Sequence, residues 1–356
     1  MHSSNKNTTQ KTSFLFLLII SILLLLIISG IVTVIILYQS IYKPNVDLKT
    51  HRFTFYYIHT GSNFSTVEKE LIKNKNLINI SSFEWVAHWK KYDSRVKPGR
   101  YRIYDGMSNN DLVNLLRSGK QEPVKVVFTD LLTREDLAGK ISGQIEADSV
   151  SLLKLMKDPV YLSEFNVTPQ SIFVLFLPNT YELFWNSSAD QFIRRMYKEY
   201  KKFWNAERLN KCRMEGFTIA EVITLASIVA RETSKESETP AIAGVYMNRL
   251  KKNWPLQADP TLILAANDYS IKRVLNKHKE IDSPYNTYTH TGLPPGPICL
   301  PSVSSIDAVL NYKNHPYMYF CARDDLSGYH NFAVTLAEHN RNAKRYQAAL
   351  KKLNIR

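Results

Sequence analysis

The side chain best placed to do chemistry is Glu232, near the middle of a predicted helix running from Thr218 to Thr233. Thr218 is the expected N-cap, Glu221 closes a capping box, and Phe217 can staple onto Val222. Ile219, Val222, Ile223, Ala226 and Val229 recur with a helical period. Leu225, Val229 and Glu232 are spaced four and three apart, which sets the carboxyl beside the inward stripe. A carboxyl in that position loses hydration, its pKa rises, and it stays protonated near neutrality, as a general acid requires. The plainer reading is an edge glutamate paired with Lys235, since structural ion pairs also perturb pKa values.

Three later segments carry polar side chains on stiff turns. In Leu256–Thr261 the proline after Asp259 holds that residue extended and fixes the direction of its carboxylate. Tyr285–Ile298 is a Gly/Pro-rich loop whose aromatic and amide groups suit stacking on, and hydrogen bonding to, a sugar ring. The third comprises Tyr319-Phe320, His330-Asn331-Phe332 and the run from Thr335 through Glu338-His339-Asn340. Ser151-Leu152-Leu153-Lys154 matches an S-x-x-K pattern, but no K-T-G comes after it. The nine histidines show no metal-ligand spacing, and His330 and His339 read as structural or hydrogen-bonding residues.

The elements that must position these groups begin with an uncharged apolar stretch from Phe14 to Tyr38, longer than the ~20 residues that span a bilayer. It exceeds the apolar core of a cleaved signal peptide and reads as an uncleaved anchor behind a short tail, 1–13. Lys6 and Lys11 precede it and Lys43, Lys49 and Arg52 come after, so charge alone leaves its orientation open. The formal net charge of +14 requires an anionic partner or surface. Nucleic acid is disfavoured, because the chain has no run of five or six basic residues and no zinc-finger spacing. Anionic lipid and a carboxylate-rich wall polymer fit better beside an anchor. Three cysteines, Cys212, Cys299 and Cys321, suit either a reducing compartment or an envelope protein without disulfides, and pairing of Cys299 with Cys321 stays open.

Beyond the anchor, strand, turn and capped helix recur. Arg52–Ile58 alternates as a strand, and Ser65 opens a helix ending near Asn76. Tyr101–Tyr104 is a strand, Asp105-Gly106 a turn, and Ser108 opens a helix stopped by Gly119. Val124–Thr129 alternates again before a helix opened by Thr133 and Asp136. The expected organisation is α+β throughout: a small module at 50–119, a connecting α+β region at 120–170, and a distal α+β domain at 171–356. The last of these ends in a basic amphipathic helix.

ASIVARET around Glu232, VYMNRL (Val245–Leu250), LQADPT, YNTYTHTGLPPGPI, YFCARDDLSGYHNF and the EHN of Glu338–Asn340 stand in one order, with FLPNTY (Phe176–Tyr181) ahead of them. In these the chain resembles the endolytic murein transglycosylases, the YceG-like family. The resemblance covers most of 171–345, and the 50–119 module resembles the family's LysM-like domain more weakly. It implies a single-pass protein of the bacterial inner (cytoplasmic) membrane with its catalytic domain in the periplasm. There it would cut the β-1,4 bond between MurNAc and GlcNAc inside peptidoglycan strands, close to peptidoglycan polymerases, without cofactor or metal. The chain departs from the family's pattern at Ala230, where many members carry a second glutamate, at Asn179, where aspartate is common, and at Ala258, where a polar residue is usual.

The resemblance implies Glu232 as the one catalytic acid/base; the side chains around it make Gln257, Asp259, Thr261, Asn286, Tyr288 and Asn331 the expected substrate-binding set, with Asn331 either orienting the catalytic carboxyl or binding the N-acetyl group. An ordinary glycosidase needs two carboxyls ~5–9 Å apart. A lytic transglycosylase needs one, which protonates the glycosidic oxygen and then takes the proton of the MurNAc 6-hydroxyl as it attacks C1. Two rivals remain: a hydrolytic muramidase with Asp259 as second carboxylate, and a catalytically silent scaffold that binds the wall.

Overall fold

The computed structural model describes the backbone of residues 5–353 and side chains from Phe14 to Leu353. Of the expected tail, 1–4 lies outside the described residues, and helix α1 (Asn5–Tyr42) already includes the remainder. Within α1, Phe14–Tyr42 is long and apolar enough to cross a membrane, and its most apolar stretch is not buried against protein.

The described chain up to Pro123, with Phe184–Asn186, forms one compact unit. After strand β1 (Phe53–Ile58) come α2 (Phe64–Lys73), α3 (Ile80–Trp89), β2 (Gly99–Tyr104) and α4 (Asn109–Ser118). β1 and β2 pair antiparallel, from Phe53 opposite Tyr104 to Ile58 opposite Gly99. The two strand–helix repeats legible in the sequence are therefore halves of one module. Its core holds Tyr56, Ile58, Leu71, Phe83, Val86, Tyr101, Ile103 and Leu112, and Ile41 from the end of α1 packs on it. The buried Asn45 ties the join: its amide donates to the Asn79 carbonyl (2.9 Å) and to Asn109 Oδ1 (2.7 Å). Asn109 in turn donates to the Ser40 carbonyl at 2.9 Å. Helix α3 went unread in the sequence, although Asn79 caps it and Phe83, Val86 and Ala87 give it a buried stripe.

The second unit comprises Val124–Leu183 and everything described from Ser187 onward. It opens with β3 (Val124–Phe128), α5 (Arg134–Ser142), α6 (Ser149–Lys157), α7 (Pro159–Ser163), β4 (Asn179–Leu183) and α8 (Ala189–Phe203). β3 pairs antiparallel with β4, Val124 opposite Leu183 and Phe128 opposite Asn179. Phe128 packs on Phe176, Tyr181 and Phe192. Of residues 120–170, expected as a connection, the part from Val124 onward thus shares a core with β4 and α8. The pairing joins strands some fifty residues apart, which local pattern does not reveal. Ser151 of the S-x-x-K match only braces the start of α6, its N–H and hydroxyl bonding to Asp148.

Helices α9 (Ala206–Glu215), α10 (Ile219–Glu232), α11 (Thr239–Lys251), α12 (Asp259–Ala265) and α13 (Val303–Leu310) build a second core. The hairpin of β5 (Tyr319–Ala322) and β6 (His330–Ala333) and the terminal helix α14 (Leu336–Lys352) complete the unit. In α10, Val222, Ile223, Leu225, Ala226, Ile228 and Val229 are all buried, and Thr218 and Glu221 form the expected capping box. All three cysteines are free thiols.

Helix α11 lies against the segment leading to β5. Lys313 N–H donates to the Pro240 carbonyl (2.8 Å), and Asn248 donates to the carbonyls of His315 (2.7 Å) and Tyr317 (2.9 Å). Gly244 makes that approach possible, because a methyl there would meet the Lys313 carbonyl and the His315 ring. Gly244→Ala is expected to destabilise this unit by about 1–3 kcal/mol through overpacking, read as a lowered midpoint of thermal unfolding.

Candidate active site

Glu232 is the last residue of α10, not a mid-helix residue as its spacing suggested. The chain turns extended at Thr233, with φ −149° and ψ 146°. The helix expected over Thr218–Thr233 ends within a residue of the observed one, which puts Glu232 in its last turn. The consequence is chemical: the carboxyl reaches out of the helix end into a groove, and the negative end of the helix dipole lies behind it.

Its partner is not Lys235, whose ammonium lies over the Tyr329 ring at 5.2 Å. Tyr246 of α11, itself buried, donates its hydroxyl to Glu232 Oε1 at 2.5 Å. One turn on, buried Arg249 donates to the carbonyls of Met318 (2.9 Å) and Leu256. Burial pushes the Glu232 carboxyl up, the Tyr246 hydrogen bond and the Arg249 charge oppose this, and the Asp259 charge adds to it; the result is a pKa raised to about 7. Desolvation outweighs the donated bond. Tyr246→Phe removes the largest opposing influence, so Glu232 is expected to titrate higher still in that variant, as tracked by carboxyl NMR or infrared spectroscopy.

Tyr246 and Arg249 were missed as site residues. The available signal was an i, i+3 pair of a tyrosine and an arginine on a helix that is otherwise apolar on that side. Phe320 of β5 packs edge-on to Tyr246 at 5.9 Å, and so the hairpin backs the acid's partner.

The six expected binding residues separate into two groups. Thr261 and Asn286 are fully buried and act as struts. Thr261 Oγ1 bonds to the Ala258 carbonyl (2.7 Å) and to Thr287 Oγ1 (2.9 Å). The Asn286 amide donates to the carbonyls of Lys279 (2.9 Å) and Ile281 (2.8 Å), and its Oδ1 accepts the Tyr288 N–H at 3.0 Å. Neither has a polar group left for a sugar. Together with the Gln257 N–H to Thr287 carbonyl bond (2.9 Å), they pin the Gly/Pro loop to the turn before α12.

That frame presents the other group. Asp259 opens α12, and its Oδ1 accepts the Tyr288 hydroxyl at 2.5 Å. Gln257 is exposed in the left-handed region, φ 50°. Asn331 is half-buried opposite Cys321 in the hairpin register, so both side chains leave one face, and Cys321 lines the groove. Fully buried Ser227 fixes the loop's far end, its Oγ accepting the Ile298 N–H at 2.9 Å. His330 and His339 are structural: His330 bonds through its N–H and Nδ1 to Glu238, and His339 stacks on Tyr319.

Glu232 and Arg231 lie where two hollows of this unit meet. One, of 1240 Å³, runs past Asp259, Pro260, Ile263, Cys321 and Tyr346. The other, of 520 Å³, runs past Asp130, Thr233, Ser234 and Ser302. A groove open on both sides of a protonated carboxyl can hold the middle of a chain-like substrate and deliver a proton to the bond crossing it.

Residues 56–345 match the model of the YceG-like family. A relative from Bacillus subtilis, named an endolytic murein transglycosylase, is 28% identical over 306 residues, covering 81% of this chain and 83% of its own. A relative of the same name from Streptococcus pneumoniae is 27% identical over 331 residues, covering 83% of this chain; the match spans 59% of its length. The crystal structure of a YceG-like protein from Listeria monocytogenes superposes with a TM-score of 0.55 at 28% identity, over 82% of this chain and 98% of that one.

Proposed function

The chain belongs to the YceG-like family, and from that premise we propose that it is a membrane-anchored endolytic murein transglycosylase with Glu232 as its single general acid/base. The observation that carries this reading is the carboxyl itself: held by Tyr246, raised to about 7, and seated where the groove opens both ways. With its pKa raised to about 7, it keeps a protonated form near neutrality. Glu232 donates that proton to the glycosidic oxygen between MurNAc and GlcNAc, and positive charge develops at C1. The carboxylate then removes the proton of the MurNAc 6-hydroxyl as that oxygen bonds to C1. The proton ends on Glu232, the leaving strand keeps a 4-hydroxyl, and the new end is a 1,6-anhydro ring.

Tyr246 holds Glu232 in place, and its hydroxyl together with the nearby Arg249 charge stabilises the carboxylate after it gives up the proton. Gln257, Tyr288 and Asn331 line the sugar's path, while Thr261 and Asn286 hold the loop that carries it. The apolar part of α1 anchors the chain in the cytoplasmic membrane. The 50–119 module stands as a LysM-like element on the periplasmic side, where nascent strands leave the polymerases. Peptidoglycan strands incubated with the full chain in detergent micelles should shorten from within, as a falling strand-length distribution on chromatography. An unchanged distribution would leave the wall-binding scaffold.

One observation favours a second reading. Asp259 lines the same hollow as Glu232 and acts on its charge, as the second carboxylate of a hydrolytic muramidase would. Its carboxylate is already engaged by the Tyr288 hydroxyl, which favours the single-acid reading.

A further inference from the structure

The two sides of the groove differ in charge. The wider side is walled by Arg231, Lys272, Arg273 and Lys351 above an apolar floor that includes Ile271 and Tyr346. The narrower side carries the carboxylates of Asp130 and Glu236 and the hydroxyls of Thr233, Ser234, Ser302 and Ser304. Arg231 is already paired with Asp130 at 3.3 Å. Lys272, Arg273 and Lys351 are exposed and make no ion pair among the described residues. Asp259, the carboxylate that lines this side along with Glu232, is occupied by Tyr288. Three unneutralised cations in one concavity raise the local potential and draw anions into it. Among the described residues their side chains make no hydrogen bond or ion pair that braces the fold, so a ligand accounts for them better than stability does.

Resting on the strand-cleaving function, we infer that this wider side binds the carboxylates of the stem peptide borne by a muramic acid seated there. The narrower side takes uncharged sugar hydroxyls and amides. Recognition is then asymmetric about Glu232: the peptide is read on one side of the scissile bond and ignored on the other. A phosphate-bearing polymer offers similar charge, and competition by inorganic phosphate separates the two.

Binding is measured on full-length Glu232→Gln in lipid nanodiscs, by fluorescence anisotropy of labelled strand fragments with and without stem peptides. Peptide-bearing fragments should bind about fivefold to tenfold more tightly at low salt, the product of three exposed charge pairs worth about twofold each. The advantage should shrink as ionic strength rises. Lys272→Ala with Arg273→Ala should remove most of it and leave the affinity for peptide-free fragments unchanged; both side chains are exposed, so the double variant keeps the fold. Equal affinity for the two fragments, or an advantage that survives the double variant, overturns the inference. So does displacement by inorganic phosphate as effective as displacement by free stem peptide, which would make the wall a general anion site. Because binding is read without turnover, absence of strand cleavage in wild type would count against the enzymatic function alone.

Discussion

Glu232→Gln should lower the rate of strand cleavage by about 10³-fold or more while leaving strand binding within a factor of a few. General acid–base assistance is worth roughly 10²–10⁴, and in the proposed mechanism one group serves both proton transfers. Glutamine keeps the size of the side chain and can still accept the Tyr246 hydroxyl through its carbonyl oxygen. What it lacks is the proton. Rates measured on purified strands, with binding measured in parallel, check this. A variant retaining a tenth of wild-type activity would remove Glu232 from the chemistry.

The same substitution should make the protein more stable above neutral pH. The Glu232 carboxyl goes from an ordinary 4.5 in the unfolded chain to about 7 in the fold. The folded state therefore holds its proton more tightly, and wild type has its full stability from this group below pH 4.5. That stability is lost as pH rises towards 7, where a charge must be kept beside the core. A shift of this size corresponds to about 3 kcal/mol. Glu232→Gln carries no such penalty. Denaturant unfolding at pH 4 should therefore show the two proteins nearly equal, and at pH 8 the variant should be ahead by up to about 3 kcal/mol. Equal stability at both values would mean the carboxyl is not desolvated. Cleavage should fall as pH rises through about 7 and the acid form is lost, and the fall should move to higher pH in Tyr246→Phe.

Much of this was legible because it was local. The capping box of Thr218 and Glu221, the Ser108 cap with its Gly119 stop, and the apolar run after Phe14 all stem from neighbours in the chain. The inward stripe of α10 also brought Glu232 to notice. The unread parts were long-range. β3 finds β4 across some fifty residues. Tyr246 meets Glu232 only because α11 folds back along α10. Thr261 and Asn286 looked like ligands for the opposite reason: a polar side chain in a stiff loop reads alike whether it faces a sugar or a backbone carbonyl, and here the carbonyls have it.

The measurement that bears most directly on Glu232 acting alone is digestion of peptidoglycan strands by the wild-type full chain in water enriched in oxygen-18, with mass spectrometry of the new ends. A single acid/base that forms the 1,6-anhydro ring uses no water. The expected fragments are lighter than reducing ends by one water and carry no label. Reducing ends carrying oxygen-18 would contradict the account and move the second carboxylate's role to Asp259.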